Sequence, residues 1–369
     1  MPPTAGVIAN HRLLGDDERV DLPVNPPVQP MLAKAVTAVP DQPGGEPVWS
    51  YEPKWDGFRA LIFRDGDEVV MSSRGGKDLA RYFPELVDAA HAVLPERVVL
   101  DGEVAVARPI GGVNRLDWDS LSQRIHPAAS RVARLAEETP AVFIGFDALA
   151  TDSMDLTAER FEVRRSALLD AAAESGDDRI QVSRVTRDSA VATDWFTAFE
   201  GAGLDGVVGK RLDGVYVPGK REMVKVKHKR TADCVVIGYR IHKSGTGLGS
   251  MLLGLYAEGE LRMVGGSSAF SDKKRIELQE MLEPMRLDPD RVAQGEVSRW
   301  RAAGSGEWIP IRPELVAEFA YDQMENQRFR HTVKFLRWRP DREPESCGYD
   351  QLDVPLTYDV FDVLVTGGQ

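Results

Sequence analysis

Residues 52–59 read Glu52-Pro53-Lys54-Trp55-Asp56-Gly57-Phe58-Arg59, and the fold assignment turns on this octet. A lysine, an acid, a glycine and an arginine fall together at the start of a stretch rich in short apolar strands. Taken alone the pattern reads two ways: Lys54 is either ordinary surface or an amine that attacks phosphorus. As a nucleophile it must be neutral, and nearby cations with partial desolvation lower an ammonium's pKa. Gly57 lets the backbone turn close to a ligand. Arg59 offers a planar fork to phosphate or ribose oxygens.

Downstream of the octet, residues 59–76 predict two strands joined by a turn at Asp65-Gly66. Residues 83–94 and 158–173 carry a helical period, while 97–108, 141–149, 203–211 and 223–230 read as strands. From Thr231 the composition changes to about five strands, Gly-rich turns and one helix over 272–285, within ~120 residues, which predicts a small β-barrel. Upstream, Pro- and Gly-rich sequence to about residue 45 predicts an extended arm packed over the surface.

A length of 369 residues fits two or three domains, and 43% hydrophobic with 28% charged residues is ordinary for a folded protein. Collagen, long disorder and a disulfide scaffold are excluded. No apolar run approaches the ~20 residues of a membrane helix. The N-terminus has neither a basic start nor an apolar core, so no signal peptide is expected. Cys234 and Cys347 are too few for a four-thiolate zinc site and suit a reducing cytoplasm. The six histidines show no metal spacing. A net charge of −12 argues against nucleic acid, but the charge is uneven. Residues 210–230 hold eight basic residues and two acids, and 328–342 hold six and one, so local patches favour phosphate binding.

After the octet come Arg74-Gly75-Gly76, Leu100-Asp101-Gly102-Glu103-Val104, Phe146-Asp147-Ala148-Leu149, Asp205-Gly206-Val207-Val208-Gly209-Lys210, Lys225-Val226-Lys227 and Phe335-Leu336-Arg337-Trp338-Arg339-Pro340-Asp341-Arg342. This order resembles the motifs of the covalent nucleotidyltransferases: ATP-dependent DNA ligases, RNA ligases and mRNA capping enzymes. The octet, SRGGKDL, LDGEV and FLRWRPDR look most like the small bacterial ATP-dependent DNA ligases, the stand-alone actinobacterial ligase C type and the ligase domain of ligase D. The resemblance spans roughly residues 28 to 342.

The resemblance implies an α+β fold: an adenylation (nucleotidyltransferase) domain of antiparallel sheets and helices, followed by an OB-fold β-barrel. Its borders would be an arm at 1–27, the adenylation domain at 28–230, the OB-fold at 231–345 and a C-terminal tail at 346–369. Lys54 would form lysyl-AMP from ATP. The backbone around Glu52 and Pro53 would read the adenine edge, and Phe146 would stack on its face. Glu103 would hold the ribose hydroxyls or Mg²⁺, with Mn²⁺ as an alternative. Asp205 stands where the family has glutamate; one methylene shorter, it would reach a metal through water. Lys225 and Lys227 would face one phosphate, with Val224 and Val226 turned inward. Met223 stands where the family has tryptophan. Arg74 resembles the arginine that grips the 5′-phosphate at the nick. Arg337, Arg339, Asp341 and Arg342 would orient pyrophosphate and then rotate away with the barrel. The implied activity is nick sealing in double-stranded DNA through lysyl-AMP and a DNA adenylate, as an accessory repair ligase acting with other DNA repair proteins, with no membrane association. An RNA ligase or capping enzyme is the alternative. A non-enzymatic OB-fold binder with a decayed partner domain is disfavoured by the intact Lys54, Arg59, Glu103, Lys225 and Lys227.

Overall fold

The computed structural model describes residues 20–172, 177–288, 292–294, 307–325, 327–352 and 359–364, without the side chains of 200, 201 and 294. The first 19 residues of the expected arm, and parts of the expected tail, lie outside these. The chain divides into two units: residues 1–228 with 355–369, and residues 229–354. The sequence reading set this border after residue 230.

The first unit contains β1 (Leu32–Ala35), β2 (Trp49–Pro53), β3 (Phe58–Asp65), β4 (Glu68–Ser73), α1 (Pro84–Val93), β5 (Arg97–Ala105), β6 (Ala107–Ile110), β7 (Val113–Leu116), α2 (Trp118–Gln123), α3 (Ala129–Glu138), β8 (Val142–Thr151), β9 (Met154–Asp155), α4 (Phe161–Ala172), β10 (Ile180–Val182), α5 (Ser189–Ala198), β11 (Gly206–Arg211) and β12 (Arg221–Lys227). Local chemistry explains their ends. Gly66, with φ of 59°, closes the β3–β4 hairpin, a conformation that suits glycine. Pro84 opens α1, where no backbone donor is needed. Asp188 caps α5 by accepting from the Ala190 and Val191 amides.

Two sheets form. One runs β1-β12-β11-β2, the other β10-β8-β5-β3-β4 with β9 beside β8. Most neighbours are antiparallel, as expected, but β1–β12 and β10–β8 are parallel. The central strands of the second sheet are apolar throughout because both faces are covered. Ala60, Ile62 and Leu100 face a core that includes residues of α1 and α4. Leu61, Phe63 and Val99 face the other way, into a core with Met31, Tyr216 and Met223. A further core joins Tyr51, Trp55, Ile144 and Phe146 to Trp195 and Phe199, and also to Val360, Val363 and Leu364. The segment read as tail therefore returns, in part, to the first unit.

The second unit holds β13 (Arg230–Ile241), β14 (Leu248–Ala257), β15 (Glu260–Ser267), α6 (Asp272–Leu282), β16 (Ala293–Gln294), β17 (Glu307–Tyr321), β18 (Met324–Glu325), β19 (Arg328–Phe329) and β20 (Lys334–Trp338). Its main sheet runs β15-β14-β13-β17-β16, with β20 also on β17. Its strands and α6 are consistent with an OB-fold, although strand pairing among the described residues does not close into a barrel. Cys234 and Cys347 are both free thiols in its core.

Candidate active site

Lys54 follows the last residue of β2. Its amide donates to Gly206 O at 2.8 Å, and the Asp205 amide donates to Lys54 O at 3.0 Å. These bonds tie Lys54 to the start of β11. The side chains meet as well: Lys54 Nζ lies 2.6 Å from Asp205 Oδ2, and Lys227 Nζ lies 2.8 Å from the same oxygen. Lys227 reaches it because β12 pairs Lys227 with Gly206. Burial alone raises the Asp205 carboxyl, but Lys54 and Lys227 outweigh it and hold the group below the usual carboxylate range. Lys225 is held low by burial and by the charges of Lys54 and Lys227.

Gly57 begins the turn into β3. Its amide donates to Glu103 Oε1 at 3.0 Å, and a Cβ there would sit 2.1 Å from Val104 O. The glycine thus permits a close pass of two backbones rather than a positive φ. Gly57→Ala is expected to cost about 1–3 kcal/mol by overpacking, as read by thermal unfolding. Burial pushes the Glu103 carboxyl up to about 7, against the pull of Arg59 and Lys54.

An open cleft is lined by Glu52, Lys54, Arg59, Arg74, Glu103, Phe146 and Lys225, together with Trp55 and Met223. Seven of the expected site residues therefore share one cleft, with Asp205 and Lys227 joined to it through Lys54. Met223, Lys225 and Lys227 share a face of β12 by the two-residue period of a strand, so the residue replacing the family tryptophan still lines the cleft.

Three observations bear on the expectations. The Arg59 fork is largely engaged: Nε and Nη2 donate to the two Asp101 carboxylate oxygens at 2.7 and 2.6 Å, leaving Nη1 without a hydrogen-bond partner among the described residues. Phe146 is buried, with Arg59 and Lys210 each 4.7 Å from its ring centroid, while the residue still lines the cleft. The first basic run is not a single face. Lys210 is buried against Glu52 Oε1 at 2.9 Å and donates to Phe146 O at 2.8 Å, and Arg211 pairs with Asp213 at 2.9 Å.

Several residues of the site went unassigned in the sequence. Asp101 holds Arg59, and Tyr216 donates to the same carboxylate at 2.7 Å. The strand period does put Asp101 on the Glu103 side of β5. Behind Glu52, Lys210 also lies 3.8 Å from Asp147, which Arg164 holds through two hydrogen bonds. Burial outweighs Lys210 and raises the Glu52 carboxyl. Glu52 Oε2 and Asp205 Oδ1 are buried without a hydrogen-bond partner among the described residues.

Among the described residues no three acids, histidines or cysteines form a metal cage. Mg²⁺ needs fewer protein ligands, since it takes one or two carboxylates and completes its shell with phosphates and water. Glu103 and the unpartnered Asp205 Oδ1 fit that donor set.

In the second unit Arg339 is clamped between carboxylates. Nη1 donates to both Asp233 oxygens at 2.8 and 3.0 Å, and Nε donates to Asp341 at 2.9 Å. Arg337 donates to Glu318 at 2.6 Å, and Arg342 lies 3.5 Å from Asp233.

Residues 30–227 match the family model of the ATP dependent DNA ligase domain, and residues 244–342 match that of the ATP dependent DNA ligase C terminal region. The chain belongs to the ATP-dependent DNA ligases, enzymes that seal nicks in DNA. It is 63% identical to DNA ligase C1 of Mycolicibacterium smegmatis, over 94% of this chain and 99% of that one. It is 50% identical to DNA ligase C of Mycobacterium tuberculosis, over the same shares. A solved Lig E DNA ligase shares the fold with a TM-score of 0.52 at 18% identity, covering 84% of this chain and 99% of that one. The RNA ligase and capping readings are not favoured. No helix among the described residues is long and apolar enough to cross a membrane.

Proposed function

We propose that Lys54 is the residue that carries AMP. The observation behind this is its amine, set in the cleft 2.6 Å from Asp205 and grouped with Lys225 and Lys227. Lys54 Nζ attacks the α-phosphorus of ATP as a neutral amine. An N–P bond forms, the bridging P–O bond breaks, and pyrophosphate leaves. Asp205 Oδ2 orients Nζ and is the nearest acceptor for a departing proton. Lys225 and Lys227 offset the charge on the transferred phosphoryl group.

AMP then passes to the 5′-phosphate of a nick, near which Arg74 contributes its guanidinium. The 3′-hydroxyl attacks that phosphate and AMP leaves. Glu103, or Asp205 through its Oδ1, would hold Mg²⁺ or Mn²⁺, which as a Lewis acid supplies charge stabilisation to phosphate oxygens. Glu52 pairs with Val208 in the β2–β11 ladder, so its unengaged acceptor is the side-chain Oε2. An acceptor there suits the exocyclic amine of adenine and opposes the carbonyl of guanine. Phe146 and the Arg59 Nη1 complete the nucleoside contacts, and Arg339 serves the pyrophosphate. We place the activity in cytoplasmic accessory repair, on nicked duplex DNA and alongside other repair proteins.

The test supplies a defined nick with ATP, GTP or NAD, and maps the covalent nucleotide by peptide mass. Sealing with ATP alone, and AMP on the Lys54 peptide, is the expected result. GTP use, or AMP on another lysine, overturns the reading.

A further inference from the structure

Residues 359–364 lie beyond both family-model matches, the second of which ends at residue 342. They nevertheless pack as part of the first unit. Asp359 Oδ2 accepts from the backbone amide and from Nδ2 of Asn114 on β7, each at 2.9 Å. Its Oδ1 accepts from the Phe361 amide at 2.9 Å and caps a 3₁₀ turn over Val360–Val363. Val360, Val363 and Leu364 are buried in the same cluster as Tyr51, Trp55 and Phe146.

The contacts continue toward the nucleotide cleft. The Arg184 amide donates to Val363 O at 3.2 Å, and Ser183 bridges to Leu364. Ser183 Oγ accepts from Trp55 Nε1 at 2.8 Å, and the Ser183 amide donates to Gly145 O at 2.9 Å. Trp55 adjoins Lys54, and Gly145 adjoins Phe146. The segment thus backs, through Ser183, the residues next to both the amine and the buried ring.

We infer that residues 359–364 are a positioning element for adenylation: they hold Ser183, and through it Trp55, so that the Lys54 amine meets the α-phosphorus in line. The inference rests on the assignment of Lys54 above. An in-line attack tolerates little misplacement, and errors near 1 Å can cost about 100-fold. Sealing of a nick that already carries AMP forms no bond to Lys54, so it depends less on this alignment.

The test uses the full chain with Val363→Asp, Asp359→Ala and, as a conservative control, Val363→Ile. Adenylate formation is measured at saturating ATP, together with sealing of a pre-adenylated nick and thermal unfolding. Val363→Asp and Asp359→Ala are expected to slow adenylate formation about 10- to 100-fold and to change pre-adenylated sealing by less than about threefold, while Val363→Ile matches the parent. Should Val363→Asp fail to fold, Asp359→Ala decides, since it deletes only hydrogen-bond acceptors. Unchanged adenylation, or both steps falling together with the folded fraction, overturns the inference. AMP on a lysine other than Lys54 in the parent protein fails the underlying assignment; AMP on Lys54 with unaffected variants fails this inference alone.

Discussion

Lys54→Ala is expected to yield no covalent adenylate and to lower ATP-dependent sealing by roughly 10³-fold or more, the scale of losing a nucleophile. Lys54→Arg fails equally in the first step, although a guanidinium keeps a partner for Asp205, because it stays protonated and has no lone pair to offer phosphorus. The two variants separate chemistry from charge. Alanine leaves Asp205 with Lys227, 2.8 Å away, so the fold is expected to survive. Both proteins should still seal a nick that already carries AMP. Radiolabel transfer from ATP to protein measures the first step, and gel-resolved sealing measures the last. Persistent label on Lys54→Ala protein would remove Lys54 from its role.

The second large effect is on stability. Lys210 is enclosed, paired with Glu52 and near Asp147. Lys210→Met keeps most of the volume and removes the charge. Glu52 is then a buried carboxylate without its ammonium, and breaking such a pair costs on the order of 3–5 kcal/mol. Denaturant unfolding of the purified protein measures this. Pairing Lys210→Met with Glu52→Gln should recover part of the loss, because the neutral amide no longer needs a cation. A single variant within about 0.5 kcal/mol of the parent would mean the pair is solvated in practice.

Lys210 also shows where sequence reading stops. In the sequence it is one of eight cations in a basic run; in the fold it is buried, because β11 turns it toward β8 and its Phe146 carbonyl. Net charge along a chain does not say which face of a strand a residue occupies. The strands themselves were legible, since residues 58–65, 97–105 and 142–151 are apolar runs with a turn or helix between them. The Lys54 cleft was legible through the order of its motifs. Arg59 was found, but not its engagement by Asp101, which depends on the antiparallel register pairing Arg59 with Glu103 and Leu61 with Asp101. The anchoring of 359–364 is not legible locally: its partners, Asn114 and Ser183, lie far back in the chain, and although four of its six residues are apolar, nothing in so short a segment says which surface they cover.

The sheet β1-β12-β11-β2 joins strands near the start of the first unit to strands about 150 residues later. Lys54 emerges early from the ribosome, whereas Asp205, which holds its amine, and Lys227, which shares that carboxylate, are made much later. At ~5–20 residues per second, the roughly 150 intervening residues take about 8–30 s to synthesise. The β3–β4 hairpin and β5 can pair in that interval, because their contacts are close in sequence. The β2–β11 contacts cannot, and long-range pairings of this kind are slow to form. The nascent chain therefore holds Lys54 without its cleft, which is complete only after residues 206–227 have added their two strands.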